Sequence, residues 1–185
     1  MKRFLFLICL LISSLNVFAE VKDENNLSEE KEFSCVSGIQ NLYSGMTDAA
    51  SFQIGADVWP SHINYCLNLG INAGKLTMKD GMVLLLKLKN GEIIELHNTN
   101  LITVDDIVHI KNKTIDHYEI YPSYPLSEQD INLLLENEVE KIRIECVQGF
   151  IDKKIKGFNK KFVKMYKSLN DYIENKRNSS VYDGF

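Results

Sequence analysis

Two segments of the chain alternate between apolar and polar positions around a glycine turn, which is typical of antiparallel hairpins. In the first, residues 82–97, the turn is Asn90-Gly91, a pair that accepts the positive φ values of a two-residue type I′ turn. The register set by this turn would place Leu88 opposite Ile93. The pattern predicts a β-hairpin in which apolar side chains meet across the strands.

The second segment, residues 140–155, turns at Gln148-Gly149. Its predicted register places Cys146 opposite Ile151. One side of the hairpin is apolar and the other is charged, as in an antiparallel sheet that lies with one face on a core. The apolar side is formed by Ile142, Ile144 and Cys146.

Weaker strand patterns occupy the first third and the middle of the chain. Glycine and proline residues separate them at the spacing expected of strands, and we expect Pro125 to stop the last one. The predicted strands are Phe33–Tyr43, Ser51–Val58, Ile63–Leu69, Lys75–Met78 and Tyr118–Tyr124.

Two segments near the C-terminus have a helical pattern. Ser127 followed by Asp130 resembles a capping box and predicts a short helix over residues 128–135. Between Asn159 and Glu174, apolar residues recur at steps of three and four, which predicts a C-terminal amphipathic helix. Because strands dominate, the sequence predicts a mostly β or α+β fold: antiparallel β-sandwich-like sheets with the last helix packed on an open face or edge.

Residues 1–19 have the pattern of a secretory signal peptide. Lys2 and Arg3 precede an unbroken apolar run, and small residues lead to a predicted cleavage after Ala19. The run is too short to span a membrane, which takes about 20 residues, and no later segment is apolar enough. We therefore expect an exported chain, periplasmic or secreted, with no transmembrane span in its mature form.

The remaining chain divides by composition. Residues 20–32 are rich in acidic and poor in apolar residues and predict a disordered leader. Residues 33–174 suit a single globular domain, and residues 175–185 predict a flexible tail. Hydrophobic residues make up 45% of the chain and charged residues 25%, which is ordinary globular usage. The net charge of −4 argues against a general nucleic-acid binder.

No catalytic, cofactor or metal site is predicted. The three cysteines after the signal are an odd number, so one thiol at least stays unpaired in a monomer, and Cys146 lies in a strand, where burial disfavours a thiolate. The histidines and nearby acids at His109, Asp116 and His117 match neither zinc nor calcium spacing. Trp59 has two possible roles: an exposed aromatic platform on which a sugar stacks, or a side chain that anchors a loop to the core.

A run of basic residues is the most specific functional feature. Between Asp152 and Ser168 lysines greatly outnumber acids, and on a hairpin arm and a helix face they could form a basic patch for an anionic glycan, a lipid headgroup or an acidic partner. The alternative is the solvated side of an amphipathic helix. The lysines are Lys153, Lys154, Lys156, Lys160, Lys161, Lys164 and Lys167.

Three short stretches resemble one class of known proteins. They are 86–92 (LKLKNGE), 124–127 (YPLS) with the helix after it, and 141–144 (KIRI). Across residues 80–156 the chain resembles small exported proteins of unknown function that are common in Bacteroidetes. The resemblance implies an envelope or secreted setting and carries no catalytic residue.

These observations favour an exported, non-enzymatic domain that binds a protein or a glycan at the cell envelope. One alternative is a secreted hydrolase whose site is assembled from distant residues. Another is a structural subunit of an envelope assembly. The sequence leaves the oligomeric state open.

Overall fold

Eleven strands and two α-helices are present in the part of the chain that the computed structural model describes, residues 30–45, 48–111 and 116–182. In chain order they are β1 (Phe33–Val36), β2 (Gln40–Ser44), β3 (Ala49–Val58), β4 (Ile63–Asn72), β5 (Val83–Leu88), β6 (Ile93–His97), β7 (Val108–Lys111), β8 (Asp116–Ile120), β9 (Ser123–Leu126), α1 (Glu128–Glu136), β10 (Val139–Cys146), β11 (Gly149–Lys154) and α2 (Phe158–Tyr182). A 3₁₀ turn, Val104–Asp106, separates β6 from β7.

The strands form two antiparallel sheets. The larger has the order β1-β3-β4-β8-β7, with β2 also paired to β3 and β9 also paired to β4. The smaller has the order β11-β10-β5-β6. The predicted fold class, mostly β or α+β with antiparallel sheets, a short helix and a C-terminal helix, is confirmed.

Both sheets contribute to one hydrophobic core. Buried side chains recur at every second position in the central strands, as at Phe52 and Ile54 of β3 or Leu84 and Leu86 of β5, because successive side chains of a strand point to opposite faces. The core also takes in the apolar stripe of α2. Each fully buried side chain of this size contributes about 1.5–3 kcal/mol by removal from water.

Helix α2 packs on the buried face of the larger sheet. The ring of Phe158 stacks on that of Phe52 with centroids 4.7 Å apart. At the middle of the helix, Asn170 accepts a hydrogen bond of 2.5 Å from the Tyr65 hydroxyl. The helix therefore covers β3 and β4 and fixes the position of its own N-terminus beside the smaller sheet.

The β5–β6 hairpin is confirmed, but its turn is longer than predicted. Lys87 pairs with Ile93, and the N–H of Gly91 donates to the carbonyl of Leu88 at 3.1 Å. Only Gly91 has a positive φ in this turn, 95°, whereas a type I′ turn would need one at Asn90 as well. The loop is a three-residue turn closed by a left-handed glycine, and it turns Ile93 outward rather than against Leu88.

The β10–β11 hairpin is also confirmed, with the predicted apolar side buried. Its turn is Val147-Gln148, because Gly149 already pairs with Cys146. The predicted pairing of Cys146 with Ile151 was wrong by two residues. A shift of two keeps every side chain on its predicted face, which is why the face was right and the register was not.

Three strand predictions need correction. The first predicted strand is two strands, β1 and β2. The predicted strand from Lys75 to Met78 is reduced to an isolated bridge between Met78 and Ile102. The last predicted strand, Tyr118–Tyr124, is also two strands, β8 and β9. Pro125 does not stop it but lies within β9, opposite Cys66 of β4, as proline can where its missing N–H is not needed for the ladder.

Helix α1 begins at the predicted capping box. The hydroxyl of Ser127 accepts from the N–H of Asp130 at 3.1 Å, and the Asp130 carboxylate accepts from the N–H of Ser127 at 3.0 Å. Both bonds satisfy N–H groups that have no partner within the helix.

Helix α2 continues past its predicted end and through most of the segment 175–185, up to Tyr182. Arg177 donates to the Glu32 carboxylate at 3.2 Å and to the carbonyl of Trp59. These contacts join the last turns of the helix to the larger sheet. No helix in the described ranges is long and apolar enough to cross a membrane.

The predicted signal peptide, residues 1–19, lies outside the described residues, as does the predicted leader except for its last three residues. Within those, the N–H of Glu32 donates to the carbonyl of Val58 at 2.8 Å.

Candidate functional site

Three lysines face one another across the smaller sheet. Lys141 of β10 lies directly opposite Lys154 of β11 on one side and directly opposite Lys87 of β5 on the other. Like charges at directly opposite positions destabilise a sheet. We call these three residues the lysine ladder (Lys87, Lys141 and Lys154), and the repulsion within it opposes folding wherever no carboxylate or ligand offsets it.

A β-bulge in β10 creates the ladder. Val139 and Ile142 are both buried although they are three residues apart, so strict alternation must break between them. The register with β5 shifts between Val139 and Lys141, which leaves Glu140 as the extra residue and turns Lys141 outward. Bulges of this kind re-aim side chains and occur next to functional sites.

The ladder forms one wall of a groove with a volume of about 720 Å³. The groove lies where the β5–β6 turn, the start of β10, the end of β11 and the start of α2 meet. Its size is within the range of small-ligand sites, about 300–1,000 Å³. The residues that line it are Lys87, Lys89, Glu138, Glu140, Lys141, Lys154, Ile155, Lys156, Gly157 and Lys160.

Two of the lysines in the groove are held by carboxylates. Lys87 lies 2.7 Å from Glu140, and the hydrogen bond from Lys87 lowers the pKa of Glu140 below its ordinary value. Lys141 lies 3.3 Å from Asp152. That carboxylate also accepts two hydrogen bonds of 2.7 Å from Arg143, and these bonds hold the pKa of Asp152 well below its usual range.

The other four lysines have no ion-pair partner in the part of the chain that the structure describes: Lys89, Lys154, Lys156 and Lys160. The remaining carboxylate of the groove, Glu138, is engaged by the protein itself, because it accepts from the N–H of Phe158 at 3.0 Å at the N-terminus of α2. The groove is therefore strongly positive within a chain whose net charge is negative.

The predicted basic patch is divided by the fold. Lys154, Lys156 and Lys160 line the groove. Lys161 and Lys164 line a second cavity of about 440 Å³, which Lys160 shares.

The two remaining lysines of the predicted patch line neither cavity. Lys153 lies 2.5 Å from the Asp48 carboxylate and over the Tyr43 ring. Lys167 is exposed on α2.

Sequence reasoning missed three lysines of the groove, Lys87, Lys89 and Lys141. The alternation of the β5 hairpin does place Lys87 and Lys89 on one side, and that signal could have been used. Lys141 could not have been assigned in the same way, because its orientation depends on the bulge at Glu140.

The described cysteines are free thiols. Cys66 donates to the side chain of Asn68 at 3.4 Å and Cys146 to the carbonyl of Gly149 at 3.3 Å. Burial raises the pKa values of Cys35 and Cys146, which favours the protonated thiol over a nucleophilic thiolate. Cys35 and Cys66 lie on opposite faces of the larger sheet, because their partners Ala56 and Gly55 are neighbours on β3.

The other residues that the sequence singled out do not converge on the groove. Trp59 is partly buried and stacks on His62 with centroids 5.7 Å apart, so its ring is not an open platform. His109 stacks on Tyr118 at 4.8 Å. Among the described residues, no three His, Cys, Asp or Glu side chains lie close enough together to hold a metal ion.

The chemistry available in the groove is that of charge recognition. Lysine ammonium groups donate up to three hydrogen bonds each and act as mobile point charges. They suit carboxylate, sulfate or phosphate groups, whose bonds to a cation are stronger than neutral ones. Comparison of the chain with family models, with curated proteins and with solved structures found no match in any of the three.

Proposed function

We propose that this chain is an exported, non-enzymatic binding domain of the cell envelope and that its lysine-lined groove binds an anionic polysaccharide. The observation that carries the proposal is the lysine ladder. Lys87 and Lys141 are ion-paired to carboxylates, but Lys154, directly opposite Lys141, has no ion-pair partner among the described residues. A like charge at such a position lowers the stability of the sheet, and departures from local rules of this kind concentrate at functional sites. A bound polyanion would remove the repulsion.

The lining of the groove argues against a nucleic acid as the ligand. No aromatic side chain is among the described residues that line it, whereas proteins that bind single-stranded nucleic acid stack bases on aromatic rings. The chain as a whole also carries a net negative charge, whereas nucleic-acid binders carry a broad basic surface. Exposed Ile93 lies directly opposite Lys87, beside the ladder, and membrane surfaces engage apolar residues next to charges. Anionic lipid vesicles are therefore the competing ligand in the binding test.

The proposed location outside the cytoplasm is supported by the signal-peptide pattern of residues 1–19 and by the resemblance to small exported proteins. Cleavage after Ala19 would expose Glu20 as the new N-terminus. The intact mass of the chain recovered from outside the cytoplasm tests this part, and a mass that includes the first nineteen residues would contradict it.

Titration with polygalacturonate, a polymer with one carboxylate per sugar, tests the binding function. We expect Lys154→Glu to weaken binding about tenfold, a loss of about 1.4 kcal/mol, because it reverses a charge of the ladder. Raising the salt concentration should weaken binding of the wild type as well, because salt screens charges that lie near the surface.

Lys79→Glu is the matched control. It makes the same change of net charge at an exposed residue that lies outside the groove. Its affinity should stay close to that of the wild type. Equal losses in the two variants would show that only overall charge matters, and the absence of any binding by the wild type would overturn the proposed function.

A further inference from the structure

The lysine groove and the second cavity are neighbours. Lys160 lines both, so the two lie side by side at the first turns of α2. We propose, resting on the function above, that the two cavities form one track that binds a continuous internal stretch of a polyanionic chain, rather than a single sugar or a chain end.

The backbone positions of the lysines along this track are separated by similar distances. In the ladder, neighbouring strands place their lysines about 4.8 Å apart. On α2, Lys160 and Lys164 are four residues apart, so they lie on one face of the helix about 6 Å apart along its axis. Such spacing suits a polymer that carries one charge on each sugar, because successive cations then meet successive anions.

The second cavity has one basic wall and one neutral wall. The basic wall is α2, with Lys160 and Lys164. The neutral wall comes from the segment between β1 and β2 and includes Ser37, Gly38 and Gln40. A sugar chain has the same two-sided character, with hydroxyl groups beside its charged groups.

Lys161 holds the two walls together. Its ammonium group donates a hydrogen bond of 2.6 Å to the carbonyl of Asn41 in β2, although it also lines the second cavity. This bond ties α2 to the edge of the larger sheet. It leaves Lys160 and Lys164 as the cations that a ligand would meet.

The helix repeats the electrostatic cost of the ladder. Like charges at four-residue spacing destabilise a helix, and Lys160 and Lys164 are such a pair. In the described part of the chain neither has an ion-pair partner. Strand β11, at Lys154, and the start of α2, at Lys160 and Lys164, thus both carry lysines without an ion-pair partner among the described residues, which is the pattern expected if both face the same polyanion.

The test compares galacturonate oligomers from the disaccharide to the dodecasaccharide, each labelled at its reducing end, by fluorescence anisotropy. For the wild type we expect affinity to rise with length well beyond the statistical gain from additional binding positions. Lys154→Glu should weaken binding of short and long oligomers alike. Lys164→Glu should weaken the dodecasaccharide about tenfold and leave the shortest binding oligomer unchanged.

Lys167→Glu is the control for the second cavity, because it reverses an exposed charge on the same helix that lines neither space. It should match the wild type at every length, and circular dichroism checks that all variants fold. A length dependence no steeper than the statistical gain, or an equal loss of short and long oligomers in Lys164→Glu, would overturn the continuous track while the proposed function stands. If no oligomer binds, both the continuous track and the proposed function are overturned, whether or not the chain binds anionic lipid vesicles.

Discussion

Single polar side chains in the core have very different surroundings. The hydroxyl of Tyr124 is buried and has no hydrogen-bond partner among the described residues, and burial raises the pKa of Tyr124 above its ordinary value. The hydroxyl of Tyr65 donates to Asn170 of α2. A buried hydroxyl without a partner costs free energy, whereas a satisfied one contributes to stability.

Replacing each tyrosine by phenylalanine should therefore have opposite effects. We expect Tyr124→Phe to raise the free energy of unfolding by about 1 kcal/mol, because the unpaired hydroxyl is removed without a change of shape. Tyr65→Phe should lower it by about 1 kcal/mol, because Asn170 loses its donor. Urea unfolding measures both, and equal destabilisation by the two changes would show that the Tyr124 hydroxyl is satisfied.

At the scale of elements, helix α1 depends on its N-cap residue, Ser127. Ser127→Ala removes the acceptor for the N–H of Asp130, and we expect it to lower the free energy of unfolding by about 1 kcal/mol. Ser127→Asn should retain most of the stability, since asparagine is an equally good N-cap. Urea unfolding of the two variants makes the comparison, and equal losses would mean that the cap contributes little.

The elements that could be predicted are those with a local signal. The capping box at Ser127 and the alternation of the two hairpins are contained in short windows, and the structure confirms them. Register was harder, because it depends on which turn residues take a positive φ. At Asn90-Gly91 only the glycine does, and this single dihedral angle decides whether Ile93 faces the core or the solvent.

At the scale of the whole molecule, half of the candidate site could be predicted. Lys154, Lys156 and Lys160 are close together in the sequence, so their charge stands out. Lys87 and Lys141 come from strands that meet only in the folded sheet, and the second needs the bulge at Glu140. Long-range pairing and bulges leave no pattern in a short stretch of sequence. The sequence therefore predicts only the lysines that lie on one hairpin and one helix.

The C-terminal end of α2 is held against the larger sheet by several contacts. Composition predicts a flexible tail from residue 175, whereas in the structure Arg177 joins the helix to Glu32 and to the carbonyl of Trp59, and Lys176 lies 3.9 Å from the centre of the Phe33 ring. We therefore expect a chain that ends at residue 174 to lose about 1–3 kcal/mol of unfolding free energy, because a partly buried carbonyl and an ion pair lose their partner.

A chain that ends at residue 178 keeps both contacts and should stay within about 0.5 kcal/mol of the full-length protein, as expected where no specific contact is removed. Thermal and urea unfolding of the two truncated chains make the comparison. If both match the full-length protein, the segment after residue 174 contributes nothing to the fold, and the compositional prediction of a tail holds. If only the shorter chain is destabilised, the last turns of α2 are part of the domain and help to hold on the larger sheet the helix that carries Lys160 near its other end.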